Sequence, residues 1–342
     1  MLNQRTTRTR ALLHAVVLIV LLVLVLACAA TSLFFGSRLV PPTDVWQGLV
    51  HPETAPEDIA VLVREQRLPR MAMGVAVGAA LGLAGALTQG HACNPLADPG
   101  LLGITSGAAL MIVGAAFFLG VTDPAVQVWF AFAGAVLGAA IVFVISALSG
   151  GATNPLTIIL AGSALTAFLT AMTTMLVLSG RAALDVQRFW QAGSVAGREM
   201  SVLYGVLPYL LLGAMLALLS GRSLTLLGLG DAAASSLGVR PTLVRWVGFV
   251  AIVILSGAAT AVAGPIGFVG LIVPHVARIL GGPDYRWVIP ASALLGAILV
   301  VAADTVGRLV TLPSEVQASI MLALVGAPVF ILLVRRRSPV TL

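Results

Sequence analysis

Residues 12–30 read LLHAVVLIVLLVLVLACAA, an apolar run without a charged side chain. A helix of about 20 such residues crosses the hydrocarbon core of a bilayer. Further apolar runs follow near residues 71–90, 101–120, 124–148, 155–179, 202–220, 242–263, 267–281, 288–307 and 317–334. Because backbone polar groups inside a membrane must pair within their own segment, runs of this length predict helices and not barrel strands. The sequence predicts an all-α integral membrane protein with about ten transmembrane helices.

The composition supports a membrane protein without a soluble domain. Hydrophobic residues make up 59% of the 342 positions and charged residues only 9%, too little charge to cover a water-facing surface. The basic residues are all arginine. Without lysine the chain has neither a phosphate-loop lysine nor a Schiff-base lysine. We therefore expect one transmembrane domain over residues 1–342, and if ATP drives this protein, another chain must hydrolyse it.

Charge at the chain ends and in one loop predicts the topology. An even number of spans places both termini on one side, together with residues 221–241. The basic N-terminal residues 1–11 and the tail 335–342 favour the cytoplasm for that side, because arginine is enriched in cytoplasmic segments. The first apolar run also resembles a secretory signal, but it is longer than the usual apolar part of one. We therefore interpret it as a retained span.

Two further patterns concern packing and ligands. Gly74, Gly78, Gly82 and Gly85 recur on one helix face, where small residues let a neighbouring helix approach closely. Cys28 lies in the first apolar run and Cys93 in the loop after the second, so we predict no disulfide between them. The histidines lie in separate segments without metal-site spacing, so we expect neither a metal nor a cofactor in this chain.

Short motifs follow one another along the chain: Arg67-Leu-Pro-Arg70, Asn94-Pro-Leu-Ala-Asp-Pro99, Trp190-Gln-Ala-Gly-Ser194, Leu229-Gly-Asp231, Gly264-Pro-Ile-Gly-Phe-Val-Gly270, Pro274-His-Val-Ala-Arg278 and Gly326-Ala-Pro-Val-Phe330. Their order between about residue 40 and residue 335 resembles the FecCD-type permeases, the membrane subunits of ABC importers for iron complexes, haem and cobalamin. Two positions depart from that pattern. Cys93 stands where the family usually has arginine, and Glu315-Val-Gln-Ala-Ser319 lacks the family's usual proline and glycine.

The resemblance implies a type II ABC importer permease fold in which spans 2–5 and 7–10 form inverted repeats. It implies a second permease subunit, two ATPase subunits that use ATP and Mg, and an extracytoplasmic substrate-binding protein. The expected substrate is a ferric siderophore, with haem or cobalamin as the alternative. The expected location is the bacterial cytoplasmic (inner) membrane.

The segment Asp231–Gly238 predicts a short helix, with an acidic residue at its start and glycine at its end. The resemblance makes it the helix that couples to the ATPase, through Asp231, Ala232, Leu237 and Gly238. The alternative is a plain connection between two spans.

Three arginines on the opposite side form a second candidate site. The resemblance implies that Arg67, Arg70 and Arg308 receive carboxylates of the binding protein, which suits the planar, bidentate guanidinium. The alternatives are solvated charge at the membrane border, or an internal pair of Arg308 with Asp304 at the i,i+4 spacing.

The fifth span carries hydroxyl side chains close to one helix face. By resemblance this face lines the translocation path, which names Ser163, Thr166, Thr170, Thr173 and Thr174. The alternative is that the hydroxyls only bond back to carbonyls one turn earlier.

Two other classes of membrane protein require reactive or ionisable groups within the spans. An ion-coupled secondary transporter usually carries ionisable groups at mid-membrane. An intramembrane hydrolase needs a nucleophile with its base, or paired acids, within the spans. The centres of the apolar runs are almost free of such groups, which disfavours both classes.

Overall fold

The structure, a computed structural model, describes residues 2–148 and 155–335. The predicted tail 335–342 therefore lies outside the described residues except for Arg335. In chain order the α-helices of these two ranges are α1 (Leu2–Phe34), α2 (Pro42–Val50), α3 (Glu57–Val61), α4 (Leu68–His91), α5 (Ile104–Leu119), α6 (Pro124–Leu148), α7 (Pro155–Ser179), α8 (Arg181–Gln191), α9 (Met200–Leu227), α10 (Asp231–Ser236), α11 (Pro241–Ala263), α12 (Val269–Gly281), α13 (Tyr285–Val310) and α14 (Ala318–Arg335).

The membrane-spanning pattern predicted from the sequence is confirmed. Within the described ranges, 7 helices are long and apolar enough to cross a membrane, and α5, α12 and α14 are shorter apolar helices. Together they account for every predicted apolar run. The sequence missed the helices that lie between spans. α2, α3 and the π-helical turn Leu62–Arg67 precede α4, and the amphipathic α8 follows α7.

The middle of the α4 glycine stripe packs directly on the backbone of α13, and Gly85 packs on Gly270 of α12. A Cβ atom at Gly78 would overlap the carbonyl oxygen of Gly296, and one at Gly82 would overlap that of Ser292. Since each step forward on α4 meets a step backward on α13, the two helices are antiparallel. The predicted packing role of the stripe is confirmed, and α4 is 72% buried over its most apolar window.

The helix contacts repeat between the two halves of the chain, as expected for inverted repeats. α4 packs on α13 as α11 packs on α6, and α5 packs on α6 and α7 as α12 packs on α13 and α14. If spans 2–5 (α4 to α7) are matched in order with spans 7–10 (α11 to α14), each contact in the first set has its counterpart in the second. α4 also packs on α11, so the first helices of the two halves meet inside the bundle.

The bundle has two ends, which we name the α2 end and the α10 end after the short helices they carry. α1 runs between them on the outside and is only 11% buried over its apolar window. At the α10 end, His14 stacks on Trp287 with ring centroids 4.6 Å apart and its Nε2 lies 2.9 Å from the carbonyl oxygen of Gly281. At the α2 end, the side chain of Arg308 binds the last turn of α1.

The close contact between α4 and α13 can be tested with a single methyl group. Gly78→Ala places a Cβ against backbone that has no side-chain freedom to yield, and overpacking of this kind costs about 1–3 kcal/mol. Gly114→Ala is the matched control, because a Cβ there meets nothing within 4 Å and alanine favours a helix over glycine. We expect Gly78→Ala to lower the thermal unfolding midpoint in detergent and Gly114→Ala to leave it unchanged or raise it. Equal midpoints for the two variants would contradict the packing described.

Candidate functional site

Arg70 is the centre of a charged cluster at the α2 end. Its Nε donates to both carboxylate oxygens of Asp304 at 3.0 and 2.9 Å, and its Nη2 donates to Oδ1 at 2.9 Å. Its Nη1 donates to Glu315 Oε2 at 2.6 Å. The side chain of Arg70 is 11% exposed and that of Glu315 33%. Arg70 thus joins α4 to α13 through Asp304 and to the segment between α13 and α14 through Glu315, and part of the cluster reaches the surface.

Arg67 and Arg308 lie deeper and hold the end of α1. Arg67 Nη1 donates to the carbonyl oxygens of Leu33 and Phe34 at 2.9 and 3.1 Å, and Arg308 Nη1 donates to that of Ser32 at 3.1 Å. The last carbonyls of a helix have no partner within the helix and carry its negative dipole end. The two guanidinium groups satisfy both needs, so they act as the C-terminal cap of α1.

The three predicted docking arginines therefore differ in position. Arg67 is 4% exposed and Arg308 2% exposed, so of the three arginines only Arg70 reaches the surface, beside Glu315. The internal pair that the sequence offered as an alternative is present, with Arg308 Nε 3.2 Å from Asp304 Oδ2. Sequence spacing revealed that pair, but it could not reveal the capping of α1, because residues 32–34 and 308 are far apart in the chain.

Glu315 stays ionised in this cluster. Burial disfavours its charged form, but the hydrogen bonds from Arg70 and Ser37 outweigh burial and hold the pKa of Glu315 below its ordinary value. Two carboxylates, Asp304 and Glu315, thus face Arg70 and Arg308. Glu315 is the more exposed of the two carboxylates that bind Arg70.

The short helix predicted at residues 231–238 is confirmed as α10. Its first residue, Asp231, accepts hydrogen bonds from Arg245 Nη1 and Nη2 at 2.9 and 2.8 Å, which fastens α10 to the start of α11. Ala232, Leu237 and Gly238 are exposed, Leu237 by 59%. Gly238 has a φ of +81°, a left-handed conformation that glycine adopts without strain. The exposed residues form a small ledge that no other part of the described chain covers.

The hydroxyl residues of α7 lie within one arc of the helix. Ser163, Thr170 and Thr174 are exposed, whereas Thr173 is buried and Thr166 is half-buried. Ser163, Thr173 and Thr174 donate to carbonyls one turn earlier at 2.8–2.9 Å, as the alternative interpretation expects. The outer margin of the arc is nonetheless open, beside exposed apolar side chains at Phe168 (61%), Met175 (63%) and Leu178 (83%).

Ser319, one of the two departures from the family pattern, has a structural contact that the sequence did not suggest. Its hydroxyl donates to the carbonyl oxygen of Ala192, and its backbone N–H donates to that of Gly193 at 3.2 Å. These bonds fix the start of α14 to the segment between α8 and α9. Cys93, the other departure, is exposed and has a φ of +45°.

Comparison with known proteins gives the family. Residues 18–336 match the FecCD transport family. This chain belongs to that family. It is 38% identical over 321 residues to the probable siderophore transport system permease YfiZ of Bacillus subtilis, with 94% of this chain and 96% of YfiZ covered. It is 41% identical over 318 residues to the ferric enterobactin transport system permease FepD of Escherichia coli, covering 93% and 94%.

A solved structure shares the fold of this FecCD permease. It is an inward-facing metal-chelate type ABC transporter, 30% identical, with a TM-score of 0.81 over 94% of this chain and 99% of the other. The protein is thus a multi-pass membrane permease of the FecCD type, and the predicted all-α permease fold is confirmed.

Because Arg308 caps α1, replacing it with an uncharged side chain should lower the stability of the protein. Arg308→Met removes the donors to Ser32 at the end of α1, while Asp304 keeps Arg70, and each buried acceptor left unsatisfied costs about 1–3 kcal/mol. Arg38→Met is the control, since Arg38 pairs with Asp58 on the exposed surface at 2.7 Å, where ion pairs contribute little. We expect Arg308→Met to lower the unfolding midpoint in detergent strongly and to expose α1 to protease. An Arg308→Met protein as stable as the Arg38→Met protein would show that α1 is held by other contacts.

Proposed function

We propose that this permease is the membrane subunit of an ATP-driven importer that takes a ferric siderophore across the bacterial cytoplasmic membrane. The observation that carries the proposal is the similarity over nearly the whole chain to permeases named for siderophore and ferric enterobactin transport. In this proposal the α2 end faces outward and the α10 end, with both chain termini, faces the cytoplasm. The permease pairs with a second permease subunit, and the outer margin of α7 with Ser163, Thr170 and Thr174 faces the path between them.

The chemistry of the path suits a cargo that is carried and released. Hydroxyl groups that already bond to their own helix offer weak acceptors to a chelate and no charge. Neutral polar groups of this kind can wet a path without trapping a bulky ligand. A metal bound inside its chelate needs no protein ligand, and among the described residues no group of at least 3 His, Cys, Asp or Glu is placed to hold an ion.

An ion-coupled mechanism finds little support in the distribution of buried charge. Among the residues whose burial the structure describes (12–148 except 101, and 157–335 except 333 and 334), the buried charged side chains are Arg67, Asp304 and Arg308. All three belong to the α2 end, where they cap α1 or pair with each other. A coupling-ion site would place ionisable groups near the middle of the bundle.

The energy source is tested by the permease alone. Because the chain has no lysine and no phosphate loop, we propose that separate ATPase subunits bind ATP and Mg and contact the exposed ledge of α10. The purified permease should show no ATP hydrolysis, and the assembled transporter should.

Leu237→Glu should reduce co-purification of the ATPase by removing the apolar contact. Leu148→Glu, which changes an exposed leucine at the end of α6, should not. Hydrolysis by the permease alone, or equal co-purification of both variants, would contradict the proposal.

Docking of the binding protein is assigned to Arg70. Since Glu315 occupies the outward side of Arg70, the binding protein must offer a carboxylate that replaces it, while Arg67 and Arg308 keep the surrounding backbone in place. Glu315→Gln removes the competing charge and should tighten binding of the binding protein. Arg70→Gln should weaken it by roughly 2–5 kcal/mol, the usual cost of truncating a buried charge pair. Affinity is measured with the transporter in nanodiscs.

The sign of the Glu315 effect decides the docking proposal. If Glu315 itself contacted a basic group of the binding protein, Glu315→Gln would weaken binding. Asp58→Asn is the control, because Asp58 is an exposed acid at the same end that pairs with Arg38 and not with Arg70. Unchanged affinity in both Glu315→Gln and Arg70→Gln would place the docking surface elsewhere.

A further inference from the structure

A cavity of about 100 Å³ lies at the α10 end between α4, α6, α7 and α11. Its wall is apolar and aromatic for most of its depth, with Phe143, Trp246 and Phe249 among its residues. The rings of Phe143 and Trp246 are 4.1 Å apart between centroids. The polar side chains in its wall are Thr88, His91, Asp98 and Arg245, of which His91 ends α4 and Arg245 lies near the start of α11.

The polarity of the cavity changes along a single helix face. Arg245, Phe249 and Ile252 line it at the i, i+4 and i+7 positions of α11, which share one face. At 1.5 Å per residue, Ile252 lies about 10 Å deeper into the bundle than Arg245. A ligand that fits this wall has a charged head and an apolar tail.

His91 supplies an independent sign of a ligand. Both of its ring nitrogens are buried and neither has a hydrogen-bond partner. Its ring lies against Gly248, where a Cβ atom would overlap Nε2, so glycine at that position makes room for the imidazole. Buried polar groups are nearly always paired, and an orphan of this kind requires an explanation. An oxygen-rich head group in the cavity would provide the missing partner.

The charges around His91 select an anion. Arg245 borders the cavity and already binds the carboxylate of Asp231 with two hydrogen bonds. Asp98 is the one acid among the described residues of the cavity wall, and its Oδ1 accepts from the N–H of Gly100 at 2.7 Å. The N–H of Gly100 partly offsets the negative charge of this carboxylate, while burial raises its pKa.

The surroundings of the cavity point to the membrane as the source. Trp246 is 46% exposed, and the apolar Val144 (54%) and Val250 (41%) are exposed beside it on α6 and α11. Tryptophan is enriched at the level of lipid head groups. Basic pockets between transmembrane helices bind anionic lipid head groups.

We propose that this cavity binds one anionic phospholipid, with its phosphate against Arg245 and His91 and part of one acyl chain along Phe249 and Ile252. The phosphate then competes with Asp231 for Arg245, so lipid binding loosens the attachment of α10 to α11. The lipid site depends on the membrane location of the chain and not on the substrate that the transporter carries.

The test is native mass spectrometry of the full-length chain, purified in mild detergent with the subunits that accompany it and titrated with phosphatidylglycerol. One phosphatidylglycerol should be retained more tightly than phosphatidylcholine, and soluble glycerol 3-phosphate should not compete. Arg245→Gln should weaken retention about five-fold, the effect of one basic residue on an anionic lipid. Arg222→Gln is the matched control, an exposed arginine at the same end that does not line the cavity, and it should retain the lipid as the wild type does.

Two further variants keep the result interpretable if Arg245→Gln folds poorly. Ile159→Trp fills the cavity from α7 and should abolish retention of the tight lipid, while Asp231→Asn removes the competitor for Arg245 and should increase it. Equal retention of phosphatidylglycerol and phosphatidylcholine by the wild type would overturn the proposal. So would unchanged retention in Ile159→Trp, or competition by glycerol 3-phosphate, which would indicate a site for free phosphate.

Discussion

The backbone contact between α4 and α13 is the constraint on which the rest of this permease depends. Gly78 and Gly82 let α4 lie against the carbonyl groups of Gly296 and Ser292, so the second span and the ninth form one rigid pair. In a bilayer the lipid tails are as apolar as the side chains, and helices associate through close packing. α11, α9 and α12 then pack around α4, which places both inverted repeats in contact with the same helix.

The charged residues at the α2 end extend that constraint to the surface. Arg70 on α4 and Asp304 on α13 face each other because the glycine contact sets the register of the two helices. Arg308, one turn beyond Asp304, then reaches the end of α1. Thus the same antiparallel pairing that forms the core also positions the cap of an outer helix. The candidate docking surface around Arg70 and Glu315 is the exposed edge of this arrangement.

The sequence predicted the spans closely because apolar length is a local property that needs no knowledge of neighbours. It also predicted the glycine contact and the short α10 from local spacing. It did not predict α8 or the helices before α4, because short amphipathic segments carry a weak signal beside long apolar runs. The capping of α1 by Arg67 and Arg308, and the bond from Ser319 to Ala192, join residues distant in the chain. The family resemblance implied that Arg67 and Arg308 dock a partner, and only the structure shows that both side chains are buried against the end of α1.

The two helices of the α4–α13 pair are synthesised at different times. α4 enters the membrane long before α13 has been made, so its glycine stripe first faces lipid. That exposure costs little, because each backbone group of a helix is already paired within the helix. Arg70 is different, since it must remain hydrated at the bilayer border until Asp304 arrives. Arg308 is inserted one turn from Asp304 on the same helix and brings its counter-charge with it. The second half of the chain therefore supplies Asp304, the acid that neutralises Arg70 in the first half.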